Sequence, residues 1–212
     1  MGKNRRIQDN LNKGIIIMLS NVSKMPGKSI SRSAFKCRTG SKLAKIKGSV
    51  CFDCYARKGM YRMPNVVNKM EEREAFFNAI DFVPRMVEML DKTKSEFFRW
   101  FDSGDVDNVR MALNIIDVIK ATPNKRHWIP TKERAIWLEA LKLAPLPDNA
   151  VIRYSATMVD TAPPKAWKNA SAVIDKIAAI GHECPAPKQQ GKCGECRACW
   201  DKNVKTVSYH KH

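Results

Sequence analysis

The sequence predicts an α/β fold with a mainly parallel sheet, arranged as an open sheet or a partial barrel. Two patterns support this prediction: short apolar strands alternate with amphipathic helices, and polar residues follow the strand ends. The chain has 212 residues, which is enough for one domain with about five or six strand–helix units, but too short for a full eight-stranded barrel. We therefore expect a single α/β domain over residues 1–212.

The first predicted elements surround a long polar segment. Residues 14–20 form a short apolar run, which predicts a buried strand. Residues 21–60 are rich in serine, lysine and glycine, and we interpret them as a long basic loop that contains cysteines. From Pro64 onward, apolar residues recur at helical spacing, so a helix follows, and Pro84 either ends it or begins the next one.

Strands and helices then alternate regularly. The aromatic residues 97–102 predict a strand, and an apolar stripe over residues 106–119 predicts the helix after it. Residues 127–130 predict a second strand, with Thr131 as the N-cap of the next helix, and residues 151–155 predict a third. Right-handed crossovers between such strands give a parallel sheet.

The C-terminal third is less regular. Residues 172–175 are ambiguous between strand and loop, and residues 204–209 form a candidate closing strand. We interpret residues 182–212 as a cysteine-rich, metal-binding tail, because four of the seven cysteines lie there.

Positive charge is concentrated near the N-terminus. The formal net charge is +17, and residues 1–60 hold 14 basic and 2 acidic side chains. Such a segment predicts a nucleic-acid partner through phosphate neutralisation, although a solubilising surface is the alternative. The sequence has no apolar run of about 18 residues and no secretory signal, so we expect no membrane contact, a cytoplasmic location and reduced cysteines.

Polar residues follow the predicted strands, where open sheets and barrels place their chemistry. We take Asp102, Ser103, Asp105 and Lys132 as catalytic candidates, with helix capping as the alternative for any one of them.

The strongest motif lies in the tail. Cys184, Cys193, Cys196 and Cys199 have the spacing C-x8-C-x2-C-x2-C, and a C-x2-C step lets two thiolates bind one metal centre. The spacing resembles the ligand run of bacterial ferredoxins. An iron–sulfur cluster, a structural zinc ion and free thiols all remain open, and Trp200 is expected to shield the site from water.

A second group consists of Cys37, Cys51 and Cys54. Three thiolates bind a four-iron cluster and leave one iron free for a substrate or cofactor, whereas zinc needs a fourth ligand. We therefore predict an iron–sulfur centre, most simply 4Fe–4S. The alternative is a zinc site completed by a histidine, with His210 and His212 available, or by a cysteine of the tail.

Two families resemble this sequence. Residues 51–73, 97–106 and 191–201 resemble the phage and prophage proteins of the gene product eighty-eight family, which implies a location in the host cytoplasm. A more distant resemblance is to a shortened radical SAM enzyme, although that family's usual first spacing is C-x3-C and thirteen residues separate Cys37 from Cys51 here.

The radical SAM resemblance implies specific roles. Cys37, Cys51 and Cys54 would hold a four-iron cluster. The side chains or backbone of the Ser103-Gly104-Asp105 segment would bind the methionine amino group of S-adenosylmethionine (SAM).

Together these patterns lead to one main hypothesis and two alternatives. The main hypothesis is a phage-type protein with one or two iron–sulfur clusters, performing redox or radical chemistry on a nucleic acid or nucleotide. The first alternative is a zinc-stabilised nucleic-acid-binding protein without catalysis. The second is a metal-stabilised protein that binds a host protein. Whether the protein is an enzyme stays open.

Overall fold

The computed structural model describes residues 18–164 and 166–211. It contains one eight-stranded sheet. The strands are β1 (Ser20–Asn21), β2 (Lys28–Ile30), β3 (Phe97–Trp100), β4 (Arg126–Thr131), β5 (Ala150–Ser155), β6 (Ala170–Ile174), β7 (His182–Glu183) and β8 (Thr206–His210). Their spatial order is β1-β2-β3-β4-β5-β6-β8-β7. Neighbouring strands are parallel except for the antiparallel pair β1–β2.

The sheet is open. Within the described residues, the edge strands β1 and β7 each pair with one neighbour and not with each other, so no closed barrel forms. The prediction of a mainly parallel α/β sheet is confirmed. Strands β2 to β6 lie side by side in chain order, so their carboxyl ends form one continuous edge.

Five α-helices with both ends in the described part of the chain connect these strands. They are α1 (Arg38–Leu43), α2 (Pro64–Asn78), α3 (Phe82–Asp91), α4 (Val109–Ala121) and α5 (Arg134–Leu143). Pro64 occupies the first turn of α2, where its missing N–H is not needed. Asn108 caps α4 by accepting a hydrogen bond from the Met111 N–H at 2.9 Å. In the described chain no helix is long and apolar enough to cross a membrane.

One face of the sheet packs against helices α2 to α5. Alternate strand residues, such as Phe98 and Trp100, point into this core together with apolar helix residues such as Ile116 and Trp137. His127 is buried in the same core between the Trp100 indole and the Thr122 hydroxyl. Successive side chains of a strand point to opposite faces, so the strand residues between these core residues point to the other face of the sheet.

The C-terminal tail covers part of that opposite face. Trp200 is buried there, donates a hydrogen bond from Nε1 to the Phe98 carbonyl at 2.9 Å, and packs edge-on against Phe97 and Trp128. The Cys193 N–H donates to the Lys24 carbonyl at 2.7 Å, which joins the tail to the β1–β2 turn. The tail thus spans the sheet from β7 to β1.

Several element predictions need correction. Of the predicted strand 14–20, residues 14–17 lie outside the described residues, and β1 begins only at Ser20. The segment 21–60, which was predicted to be a loop, contains β2 and α1. Strand β2 lacks a visible apolar pattern because the polar residue Ser29 is buried through a hydrogen bond to Asp102. Of the two alternatives for Pro84, the second is confirmed, because Pro84 lies in the first turn of α3.

Two further predictions have different outcomes. Thr131 is not an N-cap, since α5 begins at Arg134 and the residue before it is Glu133. The Thr131 hydroxyl instead donates to Asp105 Oδ1 at 2.8 Å. The candidate strand at residues 204–209 is confirmed as β8, although it lies between β6 and β7 and does not close the sheet, and the ambiguous residues 172–175 belong largely to β6.

Candidate functional site

Cys37, Cys51 and Cys54 lie close together after β2. A β-carbon placed on Gly40 would be 3.5 Å from Cys37 Sγ and 3.8 Å from Cys51 Sγ, so both sulfurs border the same small space. Cys54 follows Cys51 through a turn in which the Cys54 N–H donates to the Cys51 carbonyl at 3.3 Å. We call these residues the three-thiol group.

The charges around the three-thiol group are mixed. Burial, together with the nearby Asp105, Cys51 and Cys54, raises the pKa of the Cys37 thiol to about 12. Burial also raises the pKa of Cys51, while the Lys132 ammonium group acts in the opposite direction. A bound metal would have to displace these thiol protons, as metal binding to cysteine does in general.

Three long-range contacts hold the three-thiol group at the carboxyl edge of the sheet. Glu133, after β4, accepts hydrogen bonds from the Thr39 N–H at 2.7 Å and from the Thr39 hydroxyl at 2.9 Å. The Tyr55 hydroxyl donates to the Asp102 carbonyl after β3. The segment around Gly48 also pairs with the chain after β5, where the Val50 N–H donates to the Thr157 carbonyl at 2.9 Å.

Asp105 is a buried carboxylate with internal partners. It accepts hydrogen bonds from the Lys132 N–H at 2.7 Å, the Val106 N–H at 2.8 Å and the Thr131 hydroxyl. Burial raises the pKa of Asp105 to about 6, against the effect of these hydrogen bonds. Asp105 therefore joins the turns after β3 and β4, and positions Lys132 near Cys51.

Ser103 and Gly104 contact Arg32 in the turn after β2. The Ser103 hydroxyl donates to the Arg32 carbonyl at 2.9 Å, and the Arg32 N–H donates to the Ser103 carbonyl at 2.9 Å. Gly104 has a φ of +81°, and a β-carbon there would lie 2.6 Å from the Arg32 carbonyl oxygen. Only glycine fits this approach. The Ser103-Gly104 pair thus has a clear packing role.

Of the four predicted catalytic candidates, Asp102 and Lys132 retain partial exposure. Asp102 accepts hydrogen bonds from the hydroxyls of Ser29 and Ser31, which fix its carboxylate beside β2. The residue before it, Phe101, has a φ of +58°, an unfavourable value for a non-glycine residue that is often found near functional sites.

Arg99 is a site residue that sequence reasoning missed. It lies on β3, with its guanidinium 4.6 Å from the centre of the Trp128 ring. Its Nε is buried and has no hydrogen-bond partner among the described residues. Burial raises the pKa of the Tyr55 hydroxyl, and the positive charge of Arg99 lowers it. Because Tyr55 directly follows Cys54, Arg99 lies near the three-thiol group.

The four tail cysteines form a second set of neighbours. Cys193 and Cys196 flank a turn in which the Cys196 N–H donates to the Cys193 carbonyl at 3.0 Å. Burial raises the pKa of Cys193, with Cys184 and Cys196 acting in the same direction. Burial raises the pKa of Cys199 to about 11, against a hydrogen-bond contact of 3.0 Å with the Tyr209 hydroxyl.

A histidine outside the predicted pair contacts the tail, whereas the prediction offered His210 or His212 to complete a zinc site with Cys37, Cys51 and Cys54. His182 Nε2 lies 3.3 Å from Cys196 Sγ, a contact that the spacing of the motif did not reveal. His210 is instead paired with Glu183 at 2.8 Å, and His212 lies outside the described residues. Among the residues that the structure describes, no group of three histidine, cysteine, aspartate or glutamate side chains stands ready to hold a metal ion.

Arg153 organises the turn that carries Cys199. This fully buried arginine donates hydrogen bonds only to backbone carbonyls. The acceptors are those of Ala170, Ala198, Cys199, Asp201 and Val204, at 2.7 to 3.4 Å. A guanidinium has five N–H groups, so these bonds use its capacity fully.

The fold and the site define an open, mostly parallel α/β protein with two groups of neighbouring cysteines. The chain belongs to the Gene product 88 family, whose model matches residues 6–202. No curated protein and no solved structure shows significant similarity to it.

Proposed function

We propose that this protein is an iron–sulfur protein whose reactive centre is held by Cys37, Cys51 and Cys54. The observation that carries the proposal is the common space that Cys37 Sγ and Cys51 Sγ border beside Gly40, with Cys54 near enough to raise the pKa of both thiols. This space lies at the carboxyl edge of parallel strands, where α/β proteins bind ligands.

The chemistry of these residues fits such a centre. Soft thiolates are the protein ligands of iron–sulfur clusters, and three of them leave one iron of a four-iron cluster for an outside ligand. Lys132 and Arg57 both favour the thiolate form of Cys51 and would offset negative charge at the centre. When bound, the cluster would supply redox chemistry, with SAM as one candidate for the outside ligand.

Arg99 supports an anionic ligand beside this centre. Its buried Nε lacks a partner in the described part of the chain, and a buried donor without a partner costs about 1–3 kcal/mol. The positive charge of its guanidinium, which also lowers the pKa of the Tyr55 hydroxyl, would attract a carboxylate or phosphate group. Asp102 and Lys132, at the rim of the same edge, are the residues we propose to contact the substrate.

We assign the tail cysteines, Cys184, Cys193, Cys196 and Cys199, to a second centre with a structural role. Their contacts join β7, β8 and the β1–β2 turn, so metal binding there would stabilise the fold. Zinc is the second candidate for this centre, because the contact between His182 and Cys196 offers the nitrogen–sulfur ligand combination that zinc often uses.

Electron paramagnetic resonance on anaerobically prepared, reduced protein tests the assignment. The Cys37→Ser/Cys51→Ser/Cys54→Ser variant should lose one signal, and the matched Cys184→Ser/Cys193→Ser/Cys196→Ser variant should lose the other, or lose zinc. Added SAM should change only the signal that depends on Cys37, Cys51 and Cys54, if SAM is the outside ligand. Identical spectra for wild type and the first variant would overturn the proposal for the three-thiol group.

A further inference from the structure

The segment that carries the three-thiol group has a strongly basic surface. Residues 33–63, which we call the cap segment, contain eight lysines and arginines but a single acidic residue, Asp53. Asp53 is paired with Lys58 at 2.8 Å. The remaining cations thus have no acidic partner within the cap segment. Charge concentrated in this way attracts polyanions.

Large apolar side chains are exposed among these cations. Phe35, Phe52 and Tyr55 are 49%, 44% and 50% exposed, and Met60 is 70% exposed. The Arg57 guanidinium lies 4.8 Å from the centre of the Phe35 ring, which gives this surface a mixed aromatic and cationic character. Aromatic rings between cations are typical of proteins that bind single-stranded nucleic acid, because unpaired bases stack on the rings.

A pocket of about 230 Å³ lies next to Phe35. Lys36, Tyr61, Val67 and Met70 are among its lining residues. The lining is mostly apolar, with the Lys36 cation and the Glu71 carboxylate among it, and the pocket is large enough for one unstacked base. Only a single strand presents such a base to a protein without the cost of opening a duplex.

We propose that the cap segment binds single-stranded nucleic acid and holds it over the carboxyl edge of the sheet. Its phosphates would contact Lys42, Lys45 and Lys47, and its bases would stack on Phe35 and Phe52. That the strand is also the substrate of the three-thiol group rests on the function proposed above. The binding itself does not.

Fluorescence anisotropy with a labelled oligothymidine of about 20 nucleotides tests the binding. The Lys42→Glu/Lys45→Glu/Lys47→Glu variant should bind at least about tenfold more weakly than wild type. The slope of log affinity against log salt concentration should become shallower by about 2, because three phosphate contacts are lost and each contributes about 0.7 on a single strand. Phe35→Ala and Phe52→Ala should each weaken binding about fivefold or more.

A matched control separates a site from general attraction. The Lys142→Glu/Lys168→Glu/Lys176→Glu variant makes the same change in net charge at exposed positions outside the cap segment, and should change affinity by less than about threefold. Circular dichroism verifies that each variant is folded. Equal losses in both triple variants would overturn the proposal, as would binding to anionic phospholipid vesicles without binding to the oligonucleotide.

Iron and sulfide are measured on the same wild-type preparation. Oligonucleotide binding by iron-free protein would support this inference and contradict the proposed function. A protein that holds iron and sulfide but does not bind the oligonucleotide would support the proposed function and contradict this inference.

Discussion

The Glu133 carboxylate, at the end of β4, accepts hydrogen bonds from both the backbone N–H and the hydroxyl of Thr39, two residues after Cys37. Glu133 is buried, so these bonds form away from water. This one contact ties the start of the three-thiol group to the sheet edge on which the proposed chemistry depends.

Replacement of Glu133 should therefore loosen the three-thiol group. Glu133→Ala removes both acceptors, and we expect a loss of about 2–3 kcal/mol in the free energy of unfolding, because charged acceptors form stronger hydrogen bonds. Urea unfolding and iron content measure the effect. Glu139→Ala, an exposed position on α5, is the control and should leave both quantities unchanged. A Glu133→Ala protein with wild-type iron content would show that this contact does not position Cys37.

Gly40 offers a test that separates iron binding from stability. In Gly40→Ala the new β-carbon would lie 2.9 Å from Cys37 Cβ and would occupy the space between the two sulfurs. Alanine favours a helix by about 1 kcal/mol over glycine, so α1 itself should not be weakened.

We therefore expect Gly40→Ala to remain folded but to lose the iron of the three-thiol group, as measured by iron analysis and thermal unfolding. Lys42→Ala, exposed on the same helix, should retain its iron. Full iron occupancy in Gly40→Ala would contradict the assigned ligand set.

Arg153 should be the most sensitive position of the tail. Arg153→Met leaves five backbone carbonyls without their donor, so we expect a loss of about 3 kcal/mol or more in the free energy of unfolding. Arg126→Met, at an exposed position of β4, should cost less than about 1 kcal/mol. Chemical denaturation compares the two, and equal values would show that Arg153 does not hold the tail in place.

His127 should make stability depend on pH. Burial lowers the pKa of His127 to about 3, whereas an unfolded chain keeps the ordinary value of about 6.5. Between these values the unfolded state binds the extra proton, so stability falls as the pH falls from about 6.5 towards 3. The expected loss is about 1.4 kcal/mol for each pH unit.

Urea unfolding at several pH values measures this slope. His127→Gln does not titrate and should show a shallower decrease in stability on acidification. If His127→Gln and wild type lost stability in parallel, His127 would not be the group responsible.

The sequence predicted the regular part of the fold well, for a physical reason. Strands β3, β4 and β5 and helices α2 and α4 bury apolar residues at fixed periods, and such periods are visible along the chain. Strand β2 was missed because Ser29 is buried by a hydrogen bond to Asp102 instead of by apolar packing. Local patterns carry no sign of such a distant partner.

The site was predictable only in part for the same reason. The cysteine motifs are local, but their supports are distant: Thr39 and Glu133 are 94 positions apart, and Tyr55 and Asp102 are 47 apart. The packing role of Gly104 against Arg32 was equally invisible. Arg99 was missed because an arginine on a predicted strand gives no signal until its neighbours are known.

Iron and acid-labile sulfide in protein purified without oxygen test the central claim most directly. The account predicts a brown protein with stoichiometric iron and sulfide, from which the Cys37→Ser/Cys51→Ser/Cys54→Ser variant loses a defined share. A colourless protein that contains zinc, or no metal, and no sulfide would contradict it.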